Sequence, residues 1–196
     1  MRRRSRTVDA LDSARAWVIV GAAFVAMAAV FGVAYSFGAF LAPMAAEFGT
    51  GSGATSLVFS ITACCWFLLG SVSGRAVDRF GPRPVLLVGA VALAGGLLVT
   101  SAAQQLWVGY VAYGLGVGVA VACGYVPMVA VVGGWFDRHR ALAVGVAVAG
   151  IGVGTLAGAP LAAALIAEHG WRRAHVLLGI GGSLLLVVAA IVARRP

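Results

Sequence analysis

Long stretches without a charged residue limit what this chain can fold into more than any other feature. Hydrophobic residues make up 62% of the 196 positions and charged residues only 10%. A soluble domain of this length needs more polar surface, because its exterior faces water. The hydrocarbon core of a bilayer is about 30 Å thick, so a spanning helix needs roughly 20 mostly apolar residues. The windows that contain no Asp, Glu, Lys or Arg are 16–46, 48–74, 84–136, 141–167 and 174–193.

Four of these windows fit one spanning helix each, and the window 84–136 is long enough for two. Its polar segment at 100–105 reads TSAAQQ and predicts a tight turn between two helices. Backbone polar groups find no water in a bilayer core, which leaves helices or closed barrels. Barrel strands would alternate apolar and polar residues, and these windows do not. We therefore predict an all-α integral membrane protein of six transmembrane helices, near 17–46, 55–77, 84–103, 106–135, 141–167 and 174–193.

Arginines fall at alternate connections between the predicted helices, and this pattern predicts the orientation of the chain. Basic residues accumulate on the cytoplasmic side of a membrane, and the first-to-second and third-to-fourth connections carry none. We expect residues 1–15 to form a cytoplasmic basic leader, both termini to be cytoplasmic, and the protein to lie in the inner (plasma) membrane of the cell. Arg172 and Arg173 are the exception on the outer side. The arginines assigned to the cytoplasmic side are Arg2, Arg3, Arg4, Arg6, Arg15, Arg75, Arg79, Arg83, Arg138, Arg140, Arg194 and Arg195.

The net charge of +8 also admits a nucleic-acid-binding protein or a cleaved signal peptide. Nucleic-acid binding needs a basic face with groove-reading or stacking elements, whereas these arginines sit at predicted helix ends. The apolar run after the leader is much longer than the core of a signal peptide, and further spans follow it. We therefore expect a retained first helix, contact with the lipid bilayer, and no nucleic acid.

Cysteines and glycines lie inside the predicted helices. Cys64, Cys65 and Cys123 have no histidine or carboxylate at metal-ligand spacing, so we expect no metal and no cofactor. The glycine runs do not match G-x-G-x-x-G, because Val119 and Thr155 stand where that motif needs glycine. Glycines instead let membrane helices approach closely, and proline kinks or opens a helix. The residues assigned to helix packing and kinks are Gly150, Gly154, Pro127 and Pro160.

The connection between the second and third helices is the most informative polar segment. Residues 74–83 read GRAVDRFGPR and resemble the signature loop of the major facilitator superfamily, which acts there as a cytoplasmic latch. The resemblance implies that Asp78 faces a helix amino-terminus in the carboxy-terminal half, where a carboxylate is favoured. It also implies that Arg79 or Arg83 pairs with Asp137, and the alternative is a short basic turn. The latch residues are then Gly74, Asp78, Arg79, Gly81, Arg83 and Asp137.

Further segments resemble one branch of this superfamily, the oxalate/formate exchangers and monocarboxylate transporters, over about residues 31–179. The first and fourth helices carry YSFGAFLAPM at 35–44 and GYVP at 124–127. Two other segments lie at helix ends, WFDRHRALA at 135–143 and HGWR at 169–172. The acidic residue that animal monocarboxylate carriers show in the first helix is absent, which favours the bacterial exchanger-like group.

The resemblance implies two six-helix bundles, each made of two inverted three-helix repeats, which rock about a site near the bilayer midplane. The first and fourth helices line the pathway in such a fold, and each carries a tyrosine and a Pro-Met pair. Tyr35 and Tyr125 then offer a hydroxyl and a ring face to a small carboxylate. The alternative is that each tyrosine packs against a neighbouring helix.

The expected function is secondary active transport of a small organic anion, a monocarboxylate or dicarboxylate, by alternating access. Residues 16–196 would be the amino-terminal bundle, with the second bundle absent from the chain. The expected partners are the anion and either that carboxy-terminal bundle, which carries the cationic anchors in this branch, or a second copy. An enzyme is disfavoured, since no ionisable cluster occupies one membrane depth. A homodimeric half-transporter and a non-transporting membrane scaffold or sensor are the alternatives.

Overall fold

The part of the chain that the computed structural model describes, residues 11–195, consists of seven helical segments and their short connections. Residues 1–10, which hold most of the predicted basic leader, and residue 196 lie outside the described residues. No strand occurs within 11–195. The helices are α1 Ala14–Tyr35, α2 Phe37–Phe48, α3 Ser52–Phe80, α4 Pro82–Ser101, α5 Leu106–Gly124, α6 Val126–Trp135 and α7 Arg140–Val192.

These helices make five stretches that are long and apolar enough to cross a membrane within the described residues, and the last of them is long enough to cross twice. α1 with α2, and α5 with α6, each act as one span because a single residue separates the two pieces. α7 has 53 residues, about 80 Å at the α-helical rise, against a bilayer core of about 30 Å. Its backbone leaves the helical region at Gly170, with φ 77° and ψ 159°. The predicted all-α membrane architecture is therefore confirmed.

Local sequence explains where the helices begin and end. Ser13 caps α1, since its hydroxyl accepts a hydrogen bond from the N–H of Ala16 at 3.3 Å. Gly49 ends α2 in the left-handed conformation that a helix end favours. Gly81 separates α3 from α4 with φ 92°, and Pro82 follows in the first turn of α4, where its missing N–H has no helical partner to lose.

The helices show three local features within the predicted spans: two interruptions and one proline that the helix accommodates. The predicted first helix is interrupted at Ser36, whose hydroxyl donates to the carbonyl of Val33 at 2.7 Å. The fourth is interrupted at Tyr125, two residues before Pro127. The backbone stays helical through Pro160, so no local opening occurs there. Proline frees only the carbonyl four residues earlier, and membrane helices tolerate that loss.

The closest helix contact joins α1 to the limb of α7 before Gly170. A Cβ atom added at any of three glycines of α7 would overlap a backbone carbonyl of α1. The residues run in the same direction on both helices at intervals of four, so α1 and this limb are parallel and touch backbone to backbone. The facing pairs are Gly150 with Phe24, Gly154 with Ala28, and Gly158 with Gly32.

Hydroxyl groups join other helices through backbone carbonyls. Tyr113 of α5 is fully buried and donates to Val33 of α1 at 3.1 Å. Ser73 of α3 donates to Ala122 of α5 at 2.7 Å, and Ser183 of α7 donates to Ala90 of α4 at 2.9 Å. Lipid is as apolar as leucine, so such close packing and interhelical hydrogen bonds hold membrane helices together.

Replacing Gly154 by leucine is expected to destabilise the fold by about 1–3 kcal/mol or more, because the side chain overlaps the carbonyl of Ala28 and forces α1 away. Thermal unfolding in detergent, followed by size-exclusion chromatography, measures the effect. Gly152→Leu is the matched control, since a Cβ there meets no heavy atom within 4 Å. Equal melting temperatures for the two variants would contradict a backbone-to-backbone contact.

Candidate functional site

An aromatic pocket of about 430 Å³ lies between α1, α3 and the α5–α6 junction. Tyr35 and Tyr125, which the sequence predicted as pathway residues, both line it. Tyr35 ends α1 and Tyr125 separates α5 from α6, so the interruptions of the first and fourth spans hold the two side chains. The lining residues are Phe31, Tyr35, Trp66, Phe67, Gly70, Ser71, Val121, Ala122, Tyr125, Val126 and Ile151.

Phe31 stands between the two tyrosines. Its ring stacks on Tyr35 with centroids 5.9 Å apart and meets Tyr125 edge-to-face at 5.6 Å. Trp66 of α3 closes the group, with its ring 5.7 Å from Phe31 and 6.4 Å from Tyr35. Such aromatic pairs prefer offset and edge-to-face arrangements at these distances. The rings therefore pack against neighbouring helices and also form the wall of the pocket.

The polar atoms of the Tyr35, Trp66 and Tyr125 rings have no protein partner within the described residues, whereas the hydroxyl of Ser71, which also lines the pocket, donates to the carbonyl of Leu68 at 3.4 Å. Within residues 11–195, the hydroxyls of Tyr35 and Tyr125 and the indole N–H of Trp66 make no hydrogen bond. The other two tyrosines differ, since Tyr110 donates to the carbonyl of Ala54 at 2.8 Å and Tyr113 donates to that of Val33. Tyr35 is 43% exposed, and Trp66 and Tyr125 are half-buried, so their donors are accessible from the pocket. The pocket therefore presents three unused donors, and no Asp, Glu, Lys, Arg or His lines it.

Sequence reasoning missed Phe31 and Trp66. A signal existed for Trp66, because Phe59 lies seven residues before it, on the same face of α3, and the two rings are 6.2 Å apart. Cys64 is exposed, whereas Cys65, which precedes Trp66, and Cys123 are buried.

The segment that resembles the superfamily latch is mostly helical. α3 continues through Phe80, so Gly74, Asp78 and Arg79 are helix residues and the turn itself is Gly81. Gly74 faces the start of α6, since a Cβ there would lie 3.6 Å from the side chain of Val126. The carboxylate of Asp78 is exposed and has no partner within the described residues. It is thus free to meet a group from outside them.

The resemblance implied that an arginine of this segment pairs with Asp137, and the structure shows no such pair within the described residues. Among residues 11–195, neither Arg79 nor Arg83 forms an ion pair with it. Arg83 instead donates to the carbonyls at the end of α7, 2.7 Å from Ile191 and 3.2 Å from Ala193. These carbonyls lack helical partners and favour a cation.

Asp12 binds the connection on which Asp137 lies. Its carboxylate accepts hydrogen bonds from the backbone N–H groups of Asp137, Arg138 and His139, at 3.3, 3.1 and 3.2 Å. Asp12 also has φ 55°, a left-handed conformation that aspartate tolerates better than most residues. The Arg138 N–H contributes most to holding the pKa of Asp12 below its ordinary value. Nothing in the sequence pointed to this contact, which joins residues 125 or more positions apart.

A polar cluster joins three helices at the opposite end of the bundle. Arg172 pairs with Glu47 of α2 at 2.6 Å and donates to the carbonyl of Ser101, at the end of α4, at 2.7 Å. The indole N–H of Trp171 donates to the other oxygen of Glu47, and the guanidinium lies 4.4 Å from the Trp171 ring. Arg172, an exception to the positive-inside pattern, thus has a structural partner.

His175 is a fully buried polar residue one turn from this cluster. Its Nδ1 lies 2.9 Å from the carbonyl of Trp171, and its ring centroid is 3.9 Å from that of Phe40. Its Nε2 has no hydrogen-bond partner in residues 11–195. The ring therefore joins α2 to the limb of α7 after Gly170, a role that the sequence did not reveal.

We expect Asp12→Asn to lower the melting temperature at pH 7, because a neutral amide accepts these backbone hydrogen bonds more weakly than a carboxylate. The folded-state pKa is below the ordinary value of 3.8. The stabilisation by Asp12 is therefore fully present above pH 3.8 and disappears as the pH falls through the folded-state pKa. Melting curves at pH 7 and at successively lower pH should show the difference between wild type and variant shrink below pH 3.8.

The control for this experiment is Asp137→Asn, which leaves the backbone donor in place and changes an exposed side chain. An Asp12→Asn variant as stable as wild type at pH 7 would mean that the contact carries no stability.

Comparison with known proteins identifies the family. The family model described as the major facilitator superfamily matches residues 21–196. Monocarboxylate transporter 3 of Rattus norvegicus is 33% identical over 94% of this chain and 37% of its own length. Monocarboxylate transporter 13 of Bos taurus is 34% identical over 94% of this chain and 43% of its length. Monocarboxylate transporter 4 of Gallus gallus is 29% identical over 96% of this chain and 40% of its own length.

The chain thus spans about two-fifths of the length of these relatives. The preference for the bacterial exchanger-like group stays a prediction. The resemblance to the monocarboxylate transporter branch is confirmed, and the chain belongs to the major facilitator superfamily.

Proposed function

We propose that this chain is one six-helix bundle of a secondary active transporter, which moves a small organic anion, a monocarboxylate or dicarboxylate, by alternating access. The observation that carries the proposal is the aromatic pocket with three unused donors, on Tyr35, Trp66 and Tyr125. The relatives named monocarboxylate transporters support the class of substrate.

The chemistry of the pocket suits a carboxylate. Phenol hydroxyls and an indole N–H donate hydrogen bonds to oxygen, and hydrogen bonds to a charged acceptor are stronger than those between neutral groups. No acidic side chain lines the pocket to repel an anion, and the rings offer apolar surface to a short carbon chain. Because no cation lines it either, we propose that a second bundle supplies the positive charge.

That second bundle comes from a longer polypeptide or from a second copy of this chain. The free carboxylate of Asp78 is placed at a helix end to meet it, and a helix amino-terminus is the partner that a carboxylate favours. Arg83 does not neutralise the Asp78 carboxylate, since its guanidinium donates to carbonyls at the end of α7.

The bundle is suited to move as one body during alternating access. Backbone contact at Gly154 fixes α1 to α7, and the Glu47–Arg172 pair fixes α2 to α7 at one end. Asp12 fixes the start of α1 to the connection before α7 at the other end. The positive-inside pattern supports a cytoplasmic position for this second end, and we propose that the protein lies in the plasma membrane with both termini inside.

Uptake into proteoliposomes tests the proposal. The protein, with any residues that follow Pro196 in its reading frame, is assayed with labelled lactate, pyruvate, formate and oxalate, with and without internal anion. We expect saturable uptake of at least one of these. Tyr125→Phe and Trp66→Phe should each raise KM about ten-fold or more, since each loses one hydrogen bond to a charged group, about 1.5–3 kcal/mol.

Trp107→Phe is the control, because this exposed tryptophan lies outside the pocket and donates to Gln105. Uptake of none of the four anions, or donor variants that behave like Trp107→Phe, would overturn the proposal. The 196-residue chain alone is tested in parallel, and saturable uptake by it would mean that two copies complete the pathway.

A further inference from the structure

A second groove, of about 580 Å³, lies between α1 and the two limbs of α7, away from the aromatic pocket. Its floor is made of small residues, including Gly32 of α1. Its rims are exposed leucines, Leu161 before Gly170 and Leu184 after it, with 52% and 60% of their surface exposed. The leucine rims are as apolar as lipid tails, so the groove is suited to open to the bilayer.

The depth of the groove matches one leaflet. Residues 153–165 line one side, a rise of about 18 Å along the helix. Half of a bilayer core is about 15 Å. Leu165 and Leu177 mark the end of the groove that lies nearest the break at Gly170, where the chain turns at the membrane surface.

A cation stands at this end of the groove. Arg173 is exposed and has no hydrogen bond or ion pair within residues 11–195. It precedes Leu177 and Gly181, both lining residues, by four and eight positions, so it lies on the same helix face. Arg172 has a structural role in the Glu47 pair, but Arg173 has none, although it too departs from the positive-inside pattern. On the other limb, the carboxylate of Glu168 lies 3.8 Å from Nδ1 of His169.

We propose that this groove binds one acyl chain of an anionic phospholipid, whose phosphate Arg173 holds. An apolar channel of one leaflet's depth with a cation at the surface end matches a lipid's charge distribution. A transmembrane helix is a poorer occupant of the groove. With its side chains it is about 10–12 Å across, so the leucine rims would keep it away from the glycine floor, and an apolar helix would carry no anion to pair with Arg173. This inference does not depend on the transported substrate.

Native mass spectrometry of the detergent-purified protein, titrated with phosphatidylglycerol or phosphatidylcholine, tests the proposal. Gly181→Leu fills the groove without a clash, since a Cβ there meets no heavy atom within 4 Å. This variant should bind one phospholipid fewer than wild type. Arg173→Gln should weaken phosphatidylglycerol binding about five-fold, the effect of one arginine near an anionic lipid surface, and should reduce its preference over phosphatidylcholine.

Two controls match these changes. Gly95→Leu adds the same side chain at another exposed and open glycine, outside the groove, and Arg138→Gln removes an exposed charge elsewhere. Melting curves confirm that all variants fold. The proposal would be overturned if Gly181→Leu bound as many lipids as Gly95→Leu and if Arg173→Gln bound phosphatidylglycerol as tightly as Arg138→Gln. A Gly181→Leu variant that dissociates a dimer while keeping every lipid would also overturn it, because a second copy would then occupy the groove.

Discussion

The parallel contact between α1 and α7 is the constraint on which the rest of the bundle depends. Membrane helices gain little from the hydrophobic effect against one another, so their association rests on close packing. Gly150, Gly154 and Gly158 allow the two backbones to touch along about two turns. Leucine at any of them would push α1 outward, and with it every side chain that α1 carries into the bundle.

The position of α1 determines the geometry of the aromatic pocket. Phe31 lies one residue before Gly32, which faces Gly158, so the glycine contact fixes the ring that separates Tyr35 from Tyr125. Interruptions at Ser36 and Tyr125 then turn the first and fourth spans at the pocket. The buried hydroxyl of Tyr113 ties α5 to the carbonyl of Val33, close to the first of these interruptions. Packing thus positions the donors, and no charged residue is needed inside the membrane to do so.

The spans were predictable because a bilayer imposes one simple rule, about 20 apolar residues for each crossing. The paired tyrosines and the latch segment could be picked out by resemblance, and their functional roles stay predictions. The interruption at Ser36, the Asp12 contact and the Glu47–Arg172 pair could not be foreseen. The two ion contacts join residues that only the packed bundle brings together, and the interruption at Ser36 accompanies a single hydrogen bond from its hydroxyl. None of these features leaves a periodic pattern in the sequence. The helix is continuous through Pro160, and the non-helical residue of α7 falls at Gly170.

Whether the aromatic pocket faces water or lipid is the most direct test of this account. Ser71 lines the pocket and is exposed. Ser71→Cys, in a protein whose Cys64, Cys65 and Cys123 are replaced, should react with a membrane-impermeant thiol reagent, and a bound small carboxylate should slow the reaction. Val91→Cys, which is 73% exposed on α4 outside the pocket, should stay unreactive because it faces lipid. If neither cysteine reacted with the reagent, whichever side of the membrane it was added to, the result would contradict a substrate pathway at this pocket.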